Sequence, residues 1–268
     1  MSIKSFLYTA PLFLFTLVSC KETIDIDIPG AEPLLVVESE ITTETDSSFV
    51  KLSLSSDYFG DAKYQSINSA DVQVNSIPFF SLGNGLYKPA PGFVGKRDSL
   101  YTLQIKYNGK TYSAKAVLEP MFRVDSIFQT FKPKEGFLEE GYSVSYVGFD
   151  ERKPVKHTYF QSGIFDKVSQ MDTLQNDLVL FDNSVTPVGR SYSFELPFTR
   201  FKSGDEFFCI FRSVDKAMYD FLIAFATQTS GAPGPFQAPP ANLPTNITGG
   251  AVGYFATYDV VRVRYQVK

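Results

Sequence analysis

The sequence predicts an all-β protein: an N-terminal immunoglobulin-like β-sandwich over residues 33–120, then a second β-rich domain, sandwich or barrel-like, over 121–268 that carries one α-helix. Three observations predict it. Apolar and polar residues alternate with a period of two from Leu34 onward, the spacing of strands that bury one face. Phe and Tyr number 26 and 15 while Trp is absent, and Thr, Ser and Val recur in short runs bounded by Gly, Pro, Asn and Asp, which favours strands over helices. Asn108-Gly109 stands between two alternating runs, the strongest short-range hairpin signal.

Taken in order, strands are expected at 34–38, 50–54, 71–75, 85–88, 101–107 and 112–118. Val50, Leu52 and Leu54 alternate with Lys51, Ser53 and Ser55, and Tyr101, Leu103, Ile105 and Tyr107 with Thr102, Gln104 and Lys106. Short strands with frequent turns in a segment of this length suggest the sandwich, ending near Pro120. The second half adds strands at 143–147, 158–165, 178–181, 191–198 and 206–212. In Phe207-Phe208-Cys209-Ile210-Phe211 both faces are apolar, so this strand is central and Cys209 is a buried core thiol rather than a nucleophile. One helix is expected near 214–228. Ser213 or Asp215 caps it, Met218, Phe221, Leu222 and Phe225 form its buried stripe, and Gly231 stops it. The chain closes with a strand of Val261, Val263, Tyr265 and Val267 on one face.

Between helix and last strand, residues 229–250 carry Pro233, Pro235, Pro239, Pro240 and Pro244. A loop this long is uncommon in a compact domain unless it is functional or disordered. The plain alternative is an extended strap over a sheet edge, anchored by Phe236. Phe236, Asn242 and Asn246 are the candidate binding side chains of this segment.

The N-terminus has the layout of an export signal over residues 1–19: Lys4, an apolar stretch from Phe6 to Val18, and Ser19 before Cys20. That stretch rises about 20 Å as a helix, short of the ~30 Å hydrocarbon core, and Pro11 interrupts it, so it does not read as a permanent span. Leu17-Val18-Ser19-Cys20 resembles the bacterial lipobox, which makes Cys20 the lipid-attachment residue, residues 20–32 a tether, and the membrane a partner. Two or three acyl chains, at roughly 0.8 kcal/mol per buried methylene, anchor a protein almost irreversibly. If Cys20 is lipidated, Cys209 has no intramolecular partner, since the chain has 2 cysteines. Lys21-Glu22 and the acids Asp25 and Asp27 resemble in part the signal that sends some Bacteroidota lipoproteins to the outer face of the outer membrane.

Composition excludes other classes. With 25 basic against 29 acidic residues and a net charge of −4, the chain lacks the electrostatic footprint of a nucleic-acid binder. One histidine, His157, rules out a His-rich zinc site. No Gly-x-Ser-x-Gly elbow or Gly-rich phosphate loop occurs, and no cofactor is implied. Ser213-Val214-Asp215-Lys216 matches the Ser-x-x-Lys of penicillin-recognising enzymes without their companion motifs, and reads as a helix start. Asp57, Asp61 and Asp71 flank a loop holding Tyr58, Phe59 and Tyr64, which suits either aromatic contact with a ligand or a hard cation. A solvated loop tip is its plain alternative.

Several stretches together carry a resemblance: Leu35-Val36-Val37-Glu38 with Ile41-Thr42, Val50-Lys51-Leu52-Ser53 leading to Tyr58-Phe59, Ser69-Ala70-Asp71-Val72, and above all Pro239-Pro240-Ala241-Asn242-Leu243-Pro244-Thr245-Asn246-Ile247-Thr248-Gly249-Gly250 followed by Gly253-Tyr254-Phe255. The chain resembles the Bacteroidota outer-membrane lipoproteins grouped as domain-of-unknown-function family 4249, departing from them at Glu38-Ser39-Glu40, where a glycine is common. The family has no assigned catalytic residues to carry over. Its members are often encoded beside TonB-dependent transporters, so the resemblance implies an accessory role in nutrient uptake. The expected function is therefore a non-enzymatic, lipid-anchored outer-membrane binding protein, at the cell surface or the periplasmic face, that meets a TonB-dependent transporter through its Pro-rich loop and helix. The alternatives are an exported hydrolase acting on a polymer and a structural or adhesive surface lipoprotein.

Overall fold

Alternating side chains dictate the first layer. In β1 (Leu35–Thr42) and β2 (Phe49–Leu54), Leu35, Val37, Ile41, Val50 and Leu52 turn inward while Glu38 and Lys51 face out. The computed structural model describes residues 32–56, 65–149, 157–166, 171–184, 191–196, 200–229 and 243–268. Next in the chain come β3 (Gln65–Ser66), β4 (Asp71–Val74), β5 (Ile77–Ser81), β6 (Leu86–Lys88), β7 (Ser99–Tyr107) and β8 (Lys110–Leu118). The turn between β7 and β8 is the expected one: Asn108 and Gly109 have φ of 47° and 73°, as a type I′ hairpin requires.

These strands surround one core in the order β1-β2-β6-β5-β4-β7-β8, with β3 beside β2. β5 is the corner. Val74 pairs with its first residue, Ile77, whereas Phe80 and Ser81 at its other end pair with Lys88 and Tyr87 of β6. In place of the two separate sheets of a sandwich, one barrel-like sheet runs continuously through this strand.

The second half contributes β9 (Arg123–Lys132), β10 (Gly141–Phe149), β11 (His157–Asp166), β12 (Met171–Asp182), β13 (Ser191–Glu195) and β14 (Glu206–Val214), the helix α1 (Lys216–Thr229), then β15 (Val252–Tyr258) and β16 (Val260–Gln266). A three-stranded sheet, β13-β10-β9, faces a four-stranded one, β12-β11-β14-β16. Between them lies an aromatic core of Phe122, Tyr146, Phe160, Phe201, Phe207 and Phe211. Cys209 is buried in it, as its all-apolar strand predicts.

β15 is the element that local pattern does not announce. It leaves the second half and pairs in parallel with β1, from Val36↔Val252 to Thr42↔Tyr258, so the first sheet draws on both ends of the chain. Gly253 makes that approach feasible: its φ is +101°, and a Cβ there would lie 2.0 Å from the carbonyl oxygen of Val37. β15 also nears β8, where Thr257 Oγ1 donates to the carbonyl of Val117 at 2.8 Å. The sheet is then almost closed.

Residues 243–250 fill the remaining gap. Thr248 bridges Ser113 of β8, and Thr245 Oγ1 donates to the carbonyl of Gly253 at 2.7 Å. This portion of the Pro-rich segment is the strap over a sheet edge that its composition allowed. After β15, the chain passes through Asp259 straight into β16, so a single stretch of extended backbone serves both halves.

α1 rests on both. Met218 and Leu222 are buried with Tyr254, Ala256 and Tyr258 of β15 and with the outer face of β11 and β12. Asp215 caps it, its Oδ1 accepting from Met218 N at 2.8 Å. Phe225, expected in the buried stripe, is 41% exposed, because β15 covers only the first turns of the helix.

Candidate functional site

The residues that sequence reasoning singled out fall into two groups. Cys20, Tyr58, Phe59, Tyr64, Phe236 and Asn242 lie outside the described residues. Asn246 is described, and its amide is committed to backbone: Nδ2 donates to Phe255 O at 2.8 Å and Oδ1 accepts from Phe255 N at 3.0 Å. It acts as a side-chain rung on β15. Asp71 stands exposed at the start of β4, 3.8 Å from Lys106. Among the described residues no group of three or more His, Cys, Asp or Glu is placed to hold a metal ion, and no helix is long and apolar enough to cross a membrane.

Nucleophile candidates are chemically occupied. Burial pushes the Cys209 thiol well above its usual range, which suppresses the thiolate. Ser213 Oγ donates to the carbonyl of Glu119 and accepts from Asp259 N, while Lys216 binds Asp220 at 2.6 Å. No Ser–Lys dyad forms. His157 lies against Tyr219 with ring centroids 4.6 Å apart and planes tilted by 45°, and burial holds its imidazole below the usual value against the opposing pull of Asp182.

Two hollows lined mainly by apolar side chains stand out among the described residues. The larger is a hollow of about 390 Å³ lined by Asp46, Phe80, Leu82, Lys88 and Pro89 to Pro91. Phe80 and Leu82 are 56% and 64% exposed there, well beyond what a folded core explains. Its walls are fixed by backbone: Asp46 Oδ1 accepts from Gly92 N at 2.6 Å, and Lys88 Nζ donates to Asp46 O at 3.0 Å. Leu34, just ahead of β1, is tied to Ser55 by its N–H, at the opposite end of that strand. The length of that strand, about 25 Å at 3.3 Å per residue, separates the hollow from it. Local sequence offered one sign of this site, the apolar run Phe79-Phe80-Ser81-Leu82 beside Pro78, which restricts β5 as a pairing strand.

The smaller is a groove of about 240 Å³ where α1 overhangs the outer faces of β1 and β15. Glu38, Glu40 and Phe49 form one side and Met218, Phe221, Tyr254 and Tyr258 the other. The Phe221 and Tyr254 rings lie 4.9 Å apart, and the Tyr254 hydroxyl is buried without a hydrogen-bond partner. Burial raises the Glu40 carboxyl above the ordinary range and Glu44 adds to the rise, while Arg212 opposes them. Nothing in the local pattern marks this site, because three distant segments build it.

A search of the curated proteins finds no match. The family model described as "Domain of unknown function (DUF4249)" matches residues 21–264. That span runs from ahead of β1 into β16 and takes in the helix, and the chain belongs to this family.

Proposed function

We propose that this chain is a lipid-anchored envelope protein that binds a TonB-dependent outer-membrane transporter and assists its uptake of nutrient. The observation that carries the reading is the hollow around Phe80 and Leu82, an exposed apolar surface of the kind that marks a protein contact. The lipobox-like Leu17-Val18-Ser19-Cys20 supports the anchor, and the exposed Ile223 and Phe225 of α1 extend the contact to the helix. The membrane is the outer one, with the protein on its cell-surface or periplasmic face.

Gentle extraction from native membranes tests this. The wild-type protein should bring a transporter with it, and a Phe80→Asp/Leu82→Asp variant should lose the transporter while staying in the membrane fraction. If the wild-type protein never recovers one, the proposal fails. Cys20→Ser should release the protein from the membrane.

A second reading, hydrolysis of an exported polymer, has one specific support: Glu38 and Glu40 line the same groove, and glycoside hydrolysis uses paired carboxylates. Glu38 is held by Lys51 at 3.5 Å, which favours binding over chemistry. Release of reducing ends that disappears in Glu40→Gln would reverse that preference.

A further inference from the structure

The groove under α1 has a chemistry that a flat protein contact does not need. Its lining includes two carboxylates, of Glu38 and Glu40, and no basic side chain. The nearby Lys51 is engaged with Glu38 on the solvent side. Among the described residues nothing forms an ion pair with Glu40. Arg212, which faces it from β14, is turned to Gln161 at 2.6 Å and stacks on Tyr159 at 5.1 Å. The lining also includes the rings of Phe49, Phe221, Tyr254 and Tyr258. Aromatic faces and a carboxylate attract the same kind of group, a cation on an apolar body. The buried, unpartnered hydroxyl of Tyr254 is a further polar group at the site, and such orphaned groups commonly mark a missing ligand or water.

We infer that this groove binds a small organic cation, an ammonium group carried on an aromatic or aliphatic body, with Glu40 as its counter-charge and Phe221 and Tyr254 as its walls. Its volume of about 240 Å³ suits a small molecule rather than a polymer. Burial raises the Glu40 carboxyl above its ordinary range, and only its ionised form supplies the counter-charge. Affinity therefore rises with pH through the titration of Glu40, within a field set by Arg212, Glu44 and Tyr258. The inference goes beyond the transporter contact and does not depend on it.

Titration calorimetry on the full-length protein tests it with three probes of one shape: 2-phenylethylammonium, 2-phenylethanol and 3-phenylpropanoate. The ammonium should bind at a single saturable site, the alcohol about tenfold more weakly, as expected for loss of one charge-assisted contact, and the carboxylate not at all. Glu40→Gln, close to isosteric, should bring the ammonium down to the level of the alcohol, and Phe221→Ala should weaken both. The Phe80→Asp/Leu82→Asp variant should bind the ammonium as the wild type does, which separates this site from the transporter contact. Equal binding of ammonium and alcohol by the wild type, no binding of either, or full ammonium affinity in Glu40→Gln overturns the inference. Tighter binding of Nα-acetyl-lysine-methylamide than of the free amine overturns the small-molecule assignment.

Discussion

Thr43 and Asp259 meet although 216 positions separate them in sequence: Thr43 Oγ1 donates to Asp259 Oδ1 at 2.9 Å. The other carboxylate oxygen accepts from Arg97 Nε at 2.6 Å and from Met121 N at 2.8 Å. Asp259 N donates in turn to Ser213 Oγ, and Ser213 N to Asp259 O. One buried aspartate thereby fastens the first sheet, the linker after β8 and the second sheet. It is satisfied on both oxygens, the condition under which a buried charge is tolerated.

Asp259→Ala should therefore be severe. It strands the Met121 N–H and the Thr43 hydroxyl inside the junction, and each buried donor left unsatisfied costs about 1–3 kcal/mol. Arg97→Ala should cost less, because the arginine side chain is 58% exposed and Asp259 keeps its bonds from Thr43 Oγ1 and Met121 N. Urea unfolding curves of the two variants, compared at their midpoints, check the ordering.

Asn246→Ala removes two hydrogen bonds to Phe255 and leaves the backbone N–H and C=O of a buried strand residue unmatched. The expected loss is about 1–3 kcal/mol. It should be local first: amide hydrogen exchange at Phe255, and at Ser113 opposite Thr248, should accelerate more than exchange in β10 or β11. Uniform acceleration would mean that the strap is not what holds the gap between β8 and β15.

His157 gives the protein an acid-side weakness. Its folded pKa lies below the ordinary 6.5 because burial penalises the imidazolium, with Lys216 adding to the effect and Asp182, Asp215 and Asp220 opposing it. Between the folded and unfolded values the unfolded chain binds more protons, so stability falls as pH drops from 6.5 through the folded value. His157→Gln should flatten that part of the stability curve. Thermal melts of wild type and variant between pH 7.5 and about 5 read the difference directly.

Glu40 has the opposite dependence. Its carboxyl is raised on folding from 4.5, so its contribution is fully present below that value and is lost as pH rises through the folded one. Glu40→Gln should be more stable than the wild type at pH 7, and the gain should vanish near pH 4. A variant less stable at pH 7 would mean that Arg212 outweighs the burial.

The all-β class and the helix were legible because their causes are local. Asn108-Gly109 needs only its own backbone preference to turn, and Asp215 needs only the next turn to act as a cap. β9 escaped notice because Phe128 and Phe131, on opposite faces, are both exposed and its pairing shifts register at Val147/Gly148, so no period of two survives. β15 is buried on both faces, and its place beside β1 is a pairing between the two ends of the chain. The groove inherits that illegibility. Glu40, Phe221 and Tyr254 each look ordinary in sequence, and only parallel pairing of β1 with β15 under α1 gathers them. Asn246 attracted notice within the family-like stretch, but its partner, Phe255, is set by the register of the strap.

The parallel seat of β15 on β1 also sets a timetable for the molecule's birth. A polypeptide leaves the ribosome with its first residues leading, yet the flank of β1 is completed by residues made 216 positions later, Val252 beside Val36. Until they arrive, the leading half carries a bare strand edge able to pair with any other extended chain. A product truncated before Val252 would keep that edge permanently, and clumping is its natural fate.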